Sequence, residues 1–583
     1  MSAPLPAGDP TAGERVAVVV TPGLADIAQE PGTLAAVVGP GISACVRLDQ
    51  LAELVGEIEA SRRPRWTWWA AGHDALPLVA ARVPLARCWD IAEAHRVAVG
   101  GWDASPQLAW ATAHGLDTGA LPRASAGDLF DFDSPEDSAA DPGSPLRADG
   151  YLRPDVGSPA WPVDEARLLA WAHAALDCAD RQESLLASAS ARAVATAHSE
   201  SAAALLCVEL ARDGLPVDRD AATQLIEAAA GPRPGSEAQA REIRARRDAQ
   251  VLGHVPGREA TDLRNPLQVR ELLASVGVVV PSTRKWVLAP FRETHPVVEA
   301  LLQWRKAERI ATTYGHGWLA AHVGADDRLR GAWTACDGAA GRMTAQNGLH
   351  NLPAELRPAI AAHPGHVFVR ADLGQIEPRV LAAVSGDRAF AAATRADDLY
   401  APVAAALGVD RPTAKIAVLA AMYGQRSGAA GEALKGLERA YPTAMAYLDR
   451  AYAAGVRRQP VRTFGGRTIP LDRTLADVPP GSEAAHDAAR GRFARNAVIQ
   501  GAAAELFKAW AATVRATTRD LGAQIVLCLH DELLVHVPEP AAEEARDRLV
   551  AALDDSARRW TGSTQVRFVA DASIVRRWSE AKD

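Results

Sequence analysis

The sequence contains few cysteines and no long hydrophobic run. Its six cysteines form no CxxC pair and no second cluster, which argues against a disulfide framework or a structural zinc site and favours a reducing compartment. No uninterrupted apolar stretch approaches the roughly 18 residues of a membrane-spanning helix. The N-terminus also lacks a basic region followed by an apolar core. We therefore expect a soluble, cytoplasmic protein.

Lysine is scarce as well: only six of the 63 basic residues are lysines, at positions 285, 306, 415, 435, 508 and 582. A general preference for arginine explains this scarcity, but a lysine on an otherwise apolar helix can have a role that arginine cannot fill. The net charge of −8 gives no global attraction to nucleic acid, so DNA binding would need a local basic surface. No GxxxxGK[ST] segment occurs, which excludes a P-loop as the phosphate-binding element.

A chain of 583 residues is too long for one hydrophobic core, so two or more domains are expected. Residues 15–120 mix short apolar runs with Ala-rich helical patterns and predict a small α/β unit. Residues 123–162 are rich in Pro, Gly, Ser and Asp and predict a flexible insert. The C-terminal half contains a predicted strand at 366–372 and predicted helices at 375–396 and 411–424.

Two acidic residues lie where buried strands are predicted. Asp372 closes the strand HVFVRAD, and Asp531 interrupts IVLCLHDELLVHVPE at 525–539, which has a hairpin pattern. If these strands are neighbours in one sheet, the two carboxylates can bind divalent cations together, and bound metal would offset the cost of burying them. Two such cations can stabilise the attacking and leaving oxygens of a phosphoryl transfer. Taken alone, the second segment also fits a solvated hairpin turn.

The predicted helix RPTAKIAVLAAMYG carries three polar residues and one leucine at a spacing of four. Arg411, Lys415, Leu419 and Tyr423 therefore share one helix face. This arrangement suits a polyphosphate with a flat base at its end, because Arg can grip phosphate oxygens and Lys can act as a point charge or proton donor. An Ala-rich core helix with two exposed cations remains the alternative.

Two basic stretches lie nearby in the sequence. Residues 450–473 contain six arginines and one acid, and residues 490–501 contain three more arginines together with Asn496 and Gln500. Such a local excess of positive charge suits a nucleic-acid backbone. Arginine runs of this size also occur on solvated helices, so the stretches are not decisive alone.

In their order along the chain, these segments resemble the motifs of bacterial family A DNA polymerases, the Klenow-like DNA polymerase I type. RADLGQIEPRVLAAVSGD is similar to motif A (DYSQIELR), RPTAKIAVLAAMYG to motif B (RxxxKxxxFxxxYG), and CLHDELLVHV to motif C with its HDE. GRMTAQNGLHNLP, FGGRTIP and RFARNAVIQGAAAE are similar to GRLSSxxPNLQNIP, DGRRxxLP and RxxxNxPxQGxxAD. The match covers about 201–583, and six motifs in the family order make the resemblance highly specific.

The resemblance implies an α/β (α+β) right-hand fold of palm, fingers and thumb that adds deoxynucleotides to a primer with two Mg²⁺ ions. Asp372 and Asp531 would bind the metal ions, helped by the carbonyl of Leu373, and Lys415 would be the proton donor to pyrophosphate. Glu377 would crowd the sugar 2′ position. The full implied set comprises catalytic residues Asp372, Asp531, Glu532 and Lys415, nucleotide-binding residues Arg411, Lys415, Leu419, Tyr423, Gln375 and Glu377, and DNA-binding residues Arg342, Arg492, Asn496, Gln500 and His530.

The sequence departs from the family pattern around the expected nucleotide pocket. Leu419 stands where the family has Phe or Tyr, a loss of stacking surface that could cost about 1–3 kcal/mol. Leu373 and Gly374 replace Tyr-Ser, Pro378 replaces Leu, and Tyr400 stands where His is usual. We therefore expect polymerase chemistry with unusual nucleotide affinity or fidelity. The alternative is a DNA-binding polymerase homologue with weak turnover.

Residues 1–200 resemble the ribonuclease H-like 3′–5′ exonuclease domain of the same family, but more faintly. The possible remnants of its site are Asp74 in GHDALPLV, Asp90 in RCWDIAEAHRVAVGG and Asp177 in HAALDCAD. The first motif, DxE, has no counterpart in VAVVVTPGLADIAQE. Because two-metal exonuclease chemistry needs several carboxylates, an inactive or severely weakened exonuclease is expected. An active bifunctional enzyme is the alternative.

The resemblance also predicts the domain organisation and the partners. A polymerase domain is expected at 201–583, with a thumb at about 201–325 and palm and fingers at about 326–583. No 5′ nuclease domain is expected before residue 15. The expected partners are primer-template DNA and deoxynucleoside triphosphates, with no membrane association, and the protein is expected to be a monomer that acts in DNA repair or replication.

Overall fold

The computed structural model describes residues 14–21, 33–123, 144–158, 161, 163–424, 430–471, 481–529 and 531–581. The chain divides into two compact units. The first comprises Met1–Asp213, Ala332–Thr344 and Val369–Ile574, and the second Gly214–Gly331, Ala345–Phe368 and Val575–Asp583. Helices and strands are combined, which confirms the predicted α/β (α+β) class. Within the described ranges, no helix is long and apolar enough to cross a membrane.

The N-terminal part of the first unit is a five-stranded sheet with helices, as predicted for 15–120. The strands, in the order β3-β2-β1-β4-β5, are β1 (Arg15–Val20), β2 (Leu34–Gly39), β3 (Ile42–Arg47), β4 (Arg65–Trp68) and β5 (Arg87–Asp90). β1 pairs antiparallel with β2 and parallel with β4, so its apolar run RVAVVV lies in the middle of the sheet. The helices are α1 (Leu48–Arg62), α2 (Ala71–Asp74), α3 (Leu76–Ala80), α4 (Ile91–Val99), α5 (Pro106–His114), α6 (Glu165–Ala189) and α7 (Ala193–Asp213).

The predicted flexible insert at 123–162 is only partly visible, because 124–143 lies outside the described residues. The segment 144–158 is packed: Leu152 and Val156 are 1% and 2% exposed. Just after it, the ring of Trp161 lies edge-on to Trp171, with 6.2 Å between centroids. The prediction of a flexible insert therefore does not hold for 144–158. A few well-spaced apolar residues anchor this segment despite its polar, Pro-rich composition.

The second unit is mainly helical between Gly214 and Gly331. Its elements there are β6 (Leu215–Pro216), α8 (Arg219–Ala230), α9 (Glu237–Leu252), α10 (Pro266–Ser275), α11 (Lys285–Leu288), α12 (Pro296–Thr313), α13 (His316–His322) and β7 (Arg328–Leu329). Leu273, Leu301 and Trp304 are among the buried residues of its core. The predicted thumb begins at about residue 201. The second unit begins at Gly214, because α7 belongs to the first unit.

The C-terminal part of the chain contains a four-stranded sheet in the order β13-β14-β10-β15. The strands of this part are β8 (Trp333–Asp337), β9 (Arg342–Ala345), β10 (His366–Leu373), β11 (Val461–Arg462), β12 (Thr468–Ile469), β13 (Gln524–Leu529), β14 (Glu532–Pro538) and β15 (Ala570–Val575). Its helices are α14 (Ile376–Ser385), α15 (Arg388–Ala393), α16 (Tyr400–Leu407), α17 (Arg411–Tyr423), α18 (Ala430–Ala440), α19 (Pro442–Val456), α20 (Glu483–Thr517) and α21 (Ala542–Thr561). The helix predicted at 375–396 is divided because Gly386 adopts a φ of 69° and Asp387 caps α15.

A buried ionic cluster formed by Glu200, Arg467 and Lys508 connects α7 to the C-terminal part of the first unit. Glu200 and Lys508 are 0% exposed, and they form an ion pair. The Arg467 Nη2 atom lies 2.7 Å from the Glu200 carboxylate, and Lys508 Nζ donates to the Gly341 carbonyl at 2.6 Å. Burial alone would raise the pKa of Glu200, but the two cations hold it below its usual value. Lys508 is thus a lysine on an apolar helix with a structural role.

Candidate active site

The strand pairing places Asp372 and Asp531 beside each other. β13 and β14 form an antiparallel hairpin in which Leu529 pairs with Glu532, and β14 is the neighbour of β10. The backbone N–H of Leu373 donates to the backbone carbonyl of Asp531 at 2.7 Å. The predicted hairpin and the adjacency of the two acids are therefore both present in the structure. His530 lies outside the described residues.

The site carries more negative than positive charge. Burial and the neighbouring Asp531 raise the pKa of Asp372 to about 6. Burial and Glu532 raise the pKa of Asp531 as well. The Arg370 guanidinium bonds to Asp372 at 3.1 Å and to Glu532 at 3.0 Å, so one cation is shared by several acids. An unbalanced group of carboxylates of this kind favours a bound cation.

These residues fit a hard divalent cation. No group of three or more His, Cys, Asp or Glu side chains among the described residues is arranged to hold a metal by itself. Asp372 and Asp531 nevertheless offer carboxylate oxygens, and burial together with the neighbouring acids raises the pKa of both. Mg²⁺ commonly binds through one or two carboxylates and completes its shell with water and substrate phosphates. Asp372 and Asp531 are therefore the residues that would hold it.

A hydrogen-bonded chain joins four further residues of the predicted site. The Arg342 Nη2 atom donates to Glu377 at 2.6 Å. The Tyr423 hydroxyl donates to the same carboxylate and is also hydrogen-bonded to Gln500. Burial raises the pKa of Glu377, while Arg342 opposes this shift. The chain links β9, α14, α17 and α20 at one point.

Helix α17 has strong end signals, which explains why its bounds match the predicted 411–424 to within one residue. Asp410 caps its N-terminus by accepting from the Thr413 N–H at 2.8 Å, and Pro412 lies in the first turn. Its C-terminus is closed by Gly424, whose φ of 70° is in the left-handed region. A Cβ at Gly424 would lie 3.0 Å from the Arg492 Cγ, so the site also needs glycine for close packing.

The predicted polar face of α17 is the exposed face of the helix. Arg411 and Lys415 are exposed, Leu419 is half-buried and Tyr423 is 40% exposed. The opposite face is packed in the core through Ala414, Ala417, Val418, Ala420, Ala421 and Met422. The Ala-rich side of the helix is thus packed in the core, and all four residues of the predicted face remain available to a ligand.

Asp398 is a residue of this region that sequence reasoning missed. Its carboxylate accepts from Arg411 Nε at 2.5 Å and from Gln375 Nε2 at 2.9 Å. The Arg411 guanidinium also lies 5.8 Å from the Tyr400 ring centroid. No sequence pattern marks Asp398, because its partners are 13 and 23 residues away along the chain. It holds two predicted nucleotide-binding residues in place.

Helix α20 carries the predicted DNA-binding residues Arg492, Asn496 and Gln500. Their spacing of four places them on one face. Arg492 is exposed, and Asn496 and Gln500 are partly buried. The Oδ1 atom of Asn496 is buried without a hydrogen-bond partner among the described residues. An orphaned acceptor of this kind is usually paired by a ligand or water.

Two of the possible exonuclease remnants accept hydrogen bonds from backbone amides. Asp74 is 3% exposed and accepts from the backbone N–H groups of Val20 and Trp69, each at 3.1 Å. Asp90 accepts from the N–H of Ala71 at 2.7 Å, and burial raises its pKa to about 7. Both carboxylates therefore support the surrounding backbone.

The remaining parts of the exonuclease motif set are also altered. Asp177 lies on α6 and pairs with His114 at 2.7 Å and Arg181 at 3.2 Å. On β1, Ala17 and Val19 are fully buried apolar residues. The strand on which the family pattern has DxE thus offers no carboxylate.

Comparison with known proteins identifies the family pattern over more than half of the chain. The family model described as DNA polymerase family A matches residues 255–580. The chain is 29% identical over 329 residues to the thermostable DNA polymerase I of Thermus filiformis, covering 52% of this chain and 38% of that protein. It is 31% identical over 303 residues to DNA polymerase I of Chloroflexus aurantiacus, covering 46% and 32%.

The fold is similar to that of a solved polymerase structure. The POL domain of Pol1 from M. smegmatis, in complex with DNA primer-template and dNTP, superposes with a TM-score of 0.67 at 20% identity. This alignment covers 97% of the present chain and 96% of that chain. By contrast, the match to the Thermus filiformis protein spans only 38% of its length.

Proposed function

The chain belongs to DNA polymerase family A, and from this premise we propose that it adds deoxynucleotides to a primer 3′ end under the direction of a template. The observation that carries the proposal is the convergence of Asp372 and Asp531 beside the Arg342–Glu377–Tyr423 chain. One group supplies metal ligands and the other connects to the fingers helix α17. The proposed ligands are the classes bound by the M. smegmatis relative, primer-template DNA and dNTP.

The proposed chemistry joins the primer 3′ oxygen to the α-phosphorus of the nucleotide and breaks the bond to pyrophosphate, while the proton of the 3′-hydroxyl passes to solvent water. Divalent ions of the kind used by this family supply charge stabilisation when bound. Arg411 and Lys415, both exposed on α17, would hold the triphosphate, and Lys415 would give its proton to the leaving pyrophosphate. Arg370 would orient the carboxylates of Asp372 and Glu532.

We further propose that residues 1–200 form an inactive or severely weakened exonuclease domain. The support is that Asp74 and Asp90 are committed to backbone amides and that β1 lacks acids. Residual nuclease activity would require carboxylates free to bind metal. The domain would then serve mainly as a structural platform, joined to the rest of the first unit through the buried ionic cluster.

Primer extension tests both parts of the proposal. A 5′-labelled primer on a longer template is incubated with the protein, Mg²⁺ and dNTPs, and we expect extension that stops when EDTA is added. Without dNTPs, we expect the primer to keep its length, because Asp74 and Asp90 are committed to backbone amides and β1 carries no acid. Absence of extension would overturn the polymerase proposal in favour of a DNA-binding homologue. Primer shortening would overturn the exonuclease proposal.

Replacing Glu377 by Ala is expected to relax selection against ribonucleotides. The side chain is half-buried and held by Arg342 and Tyr423, so its removal would open space beside the nucleotide sugar. The ratio of kcat/KM for dNTP over rNTP should fall about 10–100-fold, the value of a few contacts in a specificity pocket. Single-nucleotide incorporation kinetics measure this ratio.

Glu377→Gln is the matched control for that change. It keeps the size of the side chain and an acceptor for the Tyr423 hydroxyl, so the ratio should remain close to that of the wild type. Equal discrimination by the wild-type, Ala and Gln proteins would contradict the role of Glu377 in sugar selection.

A further inference from the structure

A cavity of about 510 Å³ lies in the first unit, lined by residues with no role in the proposed polymerase reaction. Its walls come from Arg65 and residues 86–88 of β4, β5 and the segment before β5, from Arg192 and the N-terminal half of α7, and from the C-terminal halves of α20 and α21. The volume falls within the range of small-molecule sites in proteins, about 300–1,000 Å³. We call it the α7–α20 cavity.

One wall of the α7–α20 cavity is apolar and smooth. Ala202, Ala509 and Ala512 contribute short side chains, and Trp560 contributes a large aromatic surface. The Trp560 ring is itself supported by Phe464, with 4.8 Å between centroids. A wall of small residues beside a braced aromatic ring suits a planar ligand ring.

Most of the charged residues that line the cavity are arginines, and Asp555 is the one acid among the described lining residues. Two of these arginines are neutralised. Arg515 pairs with Glu209 at 2.6 Å, and Arg559 pairs with Asp555 at 2.8 Å. These pairs do not leave positive charge for a ligand.

Arg65 and Arg87 differ from the paired arginines. Among the described residues neither has a carboxylate within ion-pair distance; Arg65 bonds to the Cys88 carbonyl at 3.4 Å, and Arg87 bonds to the Arg63 carbonyl. Burial and the nearby guanidinium groups of Arg15 and Arg87 lower the pKa of Arg65. Glu183, which pairs with Arg15, also acts on Arg65, but the net effect of the surroundings on the Arg65 charge is unfavourable. An incoming anion would relieve this, and a guanidinium fork matches phosphate.

Two ring nitrogens in the cavity wall also lack partners. His198 Nε2 and Trp560 Nε1 are buried and have no hydrogen-bond partner among the described residues. Burial and Arg65 lower the pKa of His198 to about 4, so its imidazole is neutral near pH 7. The imidazole of His198 therefore adds no positive charge to the cavity lining.

We propose that the α7–α20 cavity binds a free nucleoside monophosphate. The base lies against Trp560 and the alanine wall, and the phosphate lies at Arg65 and Arg87. The apolar wall distinguishes this ligand from an inorganic anion, and the two guanidinium groups without an ion pair among the described residues distinguish it from a neutral aromatic compound. The site is separate from the nucleotide-binding face of α17.

Titration calorimetry with the full-length chain tests the proposal, with AMP as the probe and EDTA present to suppress metal-dependent nucleotide binding. We expect one site for AMP, with adenosine and inorganic phosphate each bound at least about tenfold more weakly, since each lacks half of the contacts. Absence of AMP binding at millimolar concentration would overturn the proposal. Binding of an acidic peptide in place of AMP would overturn it as well.

Two variants separate the charge and the volume of the cavity. Arg65→Ala combined with Arg87→Ala should weaken AMP binding at least about tenfold by removing the phosphate partners. Ala512→Phe should abolish it by filling the cavity while leaving both arginines in place. Arg246→Ala, which removes an exposed arginine of the second unit, should have no effect. Unchanged AMP affinity in folded forms of the first two proteins would overturn the proposal.

Hydrogen exchange of the wild-type chain locates the site without any substitution. AMP should slow exchange in residues 192–202 and 509–517 and leave residues 411–423 unchanged. Protection confined to 411–423 would place AMP at the proposed polymerase nucleotide site and overturn the inference. Because neither measurement uses primer extension, the outcome is independent of the outcome for polymerase activity.

Discussion

Replacing Asp531 by Asn is expected to lower the rate of primer extension by about 1,000-fold or more, comparable to or greater than the loss of a main charge-stabilising group. The substitution removes one of the two carboxylates proposed to hold metal. It should leave the local fold intact, because the Leu373 N–H bonds to the backbone carbonyl of Asp531 and not to its side chain. Single-turnover extension with saturating dNTP measures the effect.

Two further substitutions show whether the effect belongs to Asp531. Glu532→Gln should have a milder effect, because Glu532 contacts Arg370 and would position the neighbouring acid. Asp571→Asn should have little effect. Asp571 is an exposed acid on β15 that acts on Asp372 only through its charge. Extension by Asp531→Asn at a rate within tenfold of the wild type would contradict its proposed role as a metal ligand.

Elements with strong local signals could be predicted from the sequence. Helix α17 is bounded by Asp410 and Gly424; its limits match the predicted 411–424 to within one residue, and the predicted face is exposed. The hairpin of β13 and β14 follows from apolar arms around a polar turn. By contrast, the packing of 144–158 depends on tertiary contacts, which a local composition window does not register. The break at Gly386 has local signals, a left-handed glycine followed by the capping Asp387, which the prediction of one helix at 375–396 overlooked.

The residues that connect the site were harder to predict than the residues that form it. Arg370 is one residue of a buried strand, and its two acidic partners are 2 and 162 positions away. Asp398 likewise has partners in two different segments. Such bridges carry no motif, because their function arises only when the fold brings distant segments together. The ionic cluster around Lys508 could not be predicted for the same reason. The scarcity of lysine indicated only that a lysine on an apolar helix can have a particular role.

Replacing Glu200 by Gln is expected to destabilise the first unit by about 3–5 kcal/mol, the cost of leaving buried charges without a partner. The substitution keeps the shape of the side chain, but Lys508 and Arg467 would lose their common counter-ion in a fully buried environment. The remaining bonds of Lys508 to the carbonyls of Ala335 and Gly341 are too weak to compensate for a missing charge. Urea denaturation followed by circular dichroism measures the loss as a lower transition midpoint.

An exposed ion pair of similar length provides the control for this prediction. Arg246 and Glu242 approach to 2.6 Å on the surface of α9, and Glu242→Gln should change the free energy of unfolding by no more than about 1 kcal/mol. Adding Lys508→Met to Glu200→Gln should recover part of the lost stability, because it removes one of the two unpaired cations. A loss below about 1 kcal/mol for Glu200→Gln, or no recovery in the double variant, would show that the cluster does not bind α7 to α20 through charge.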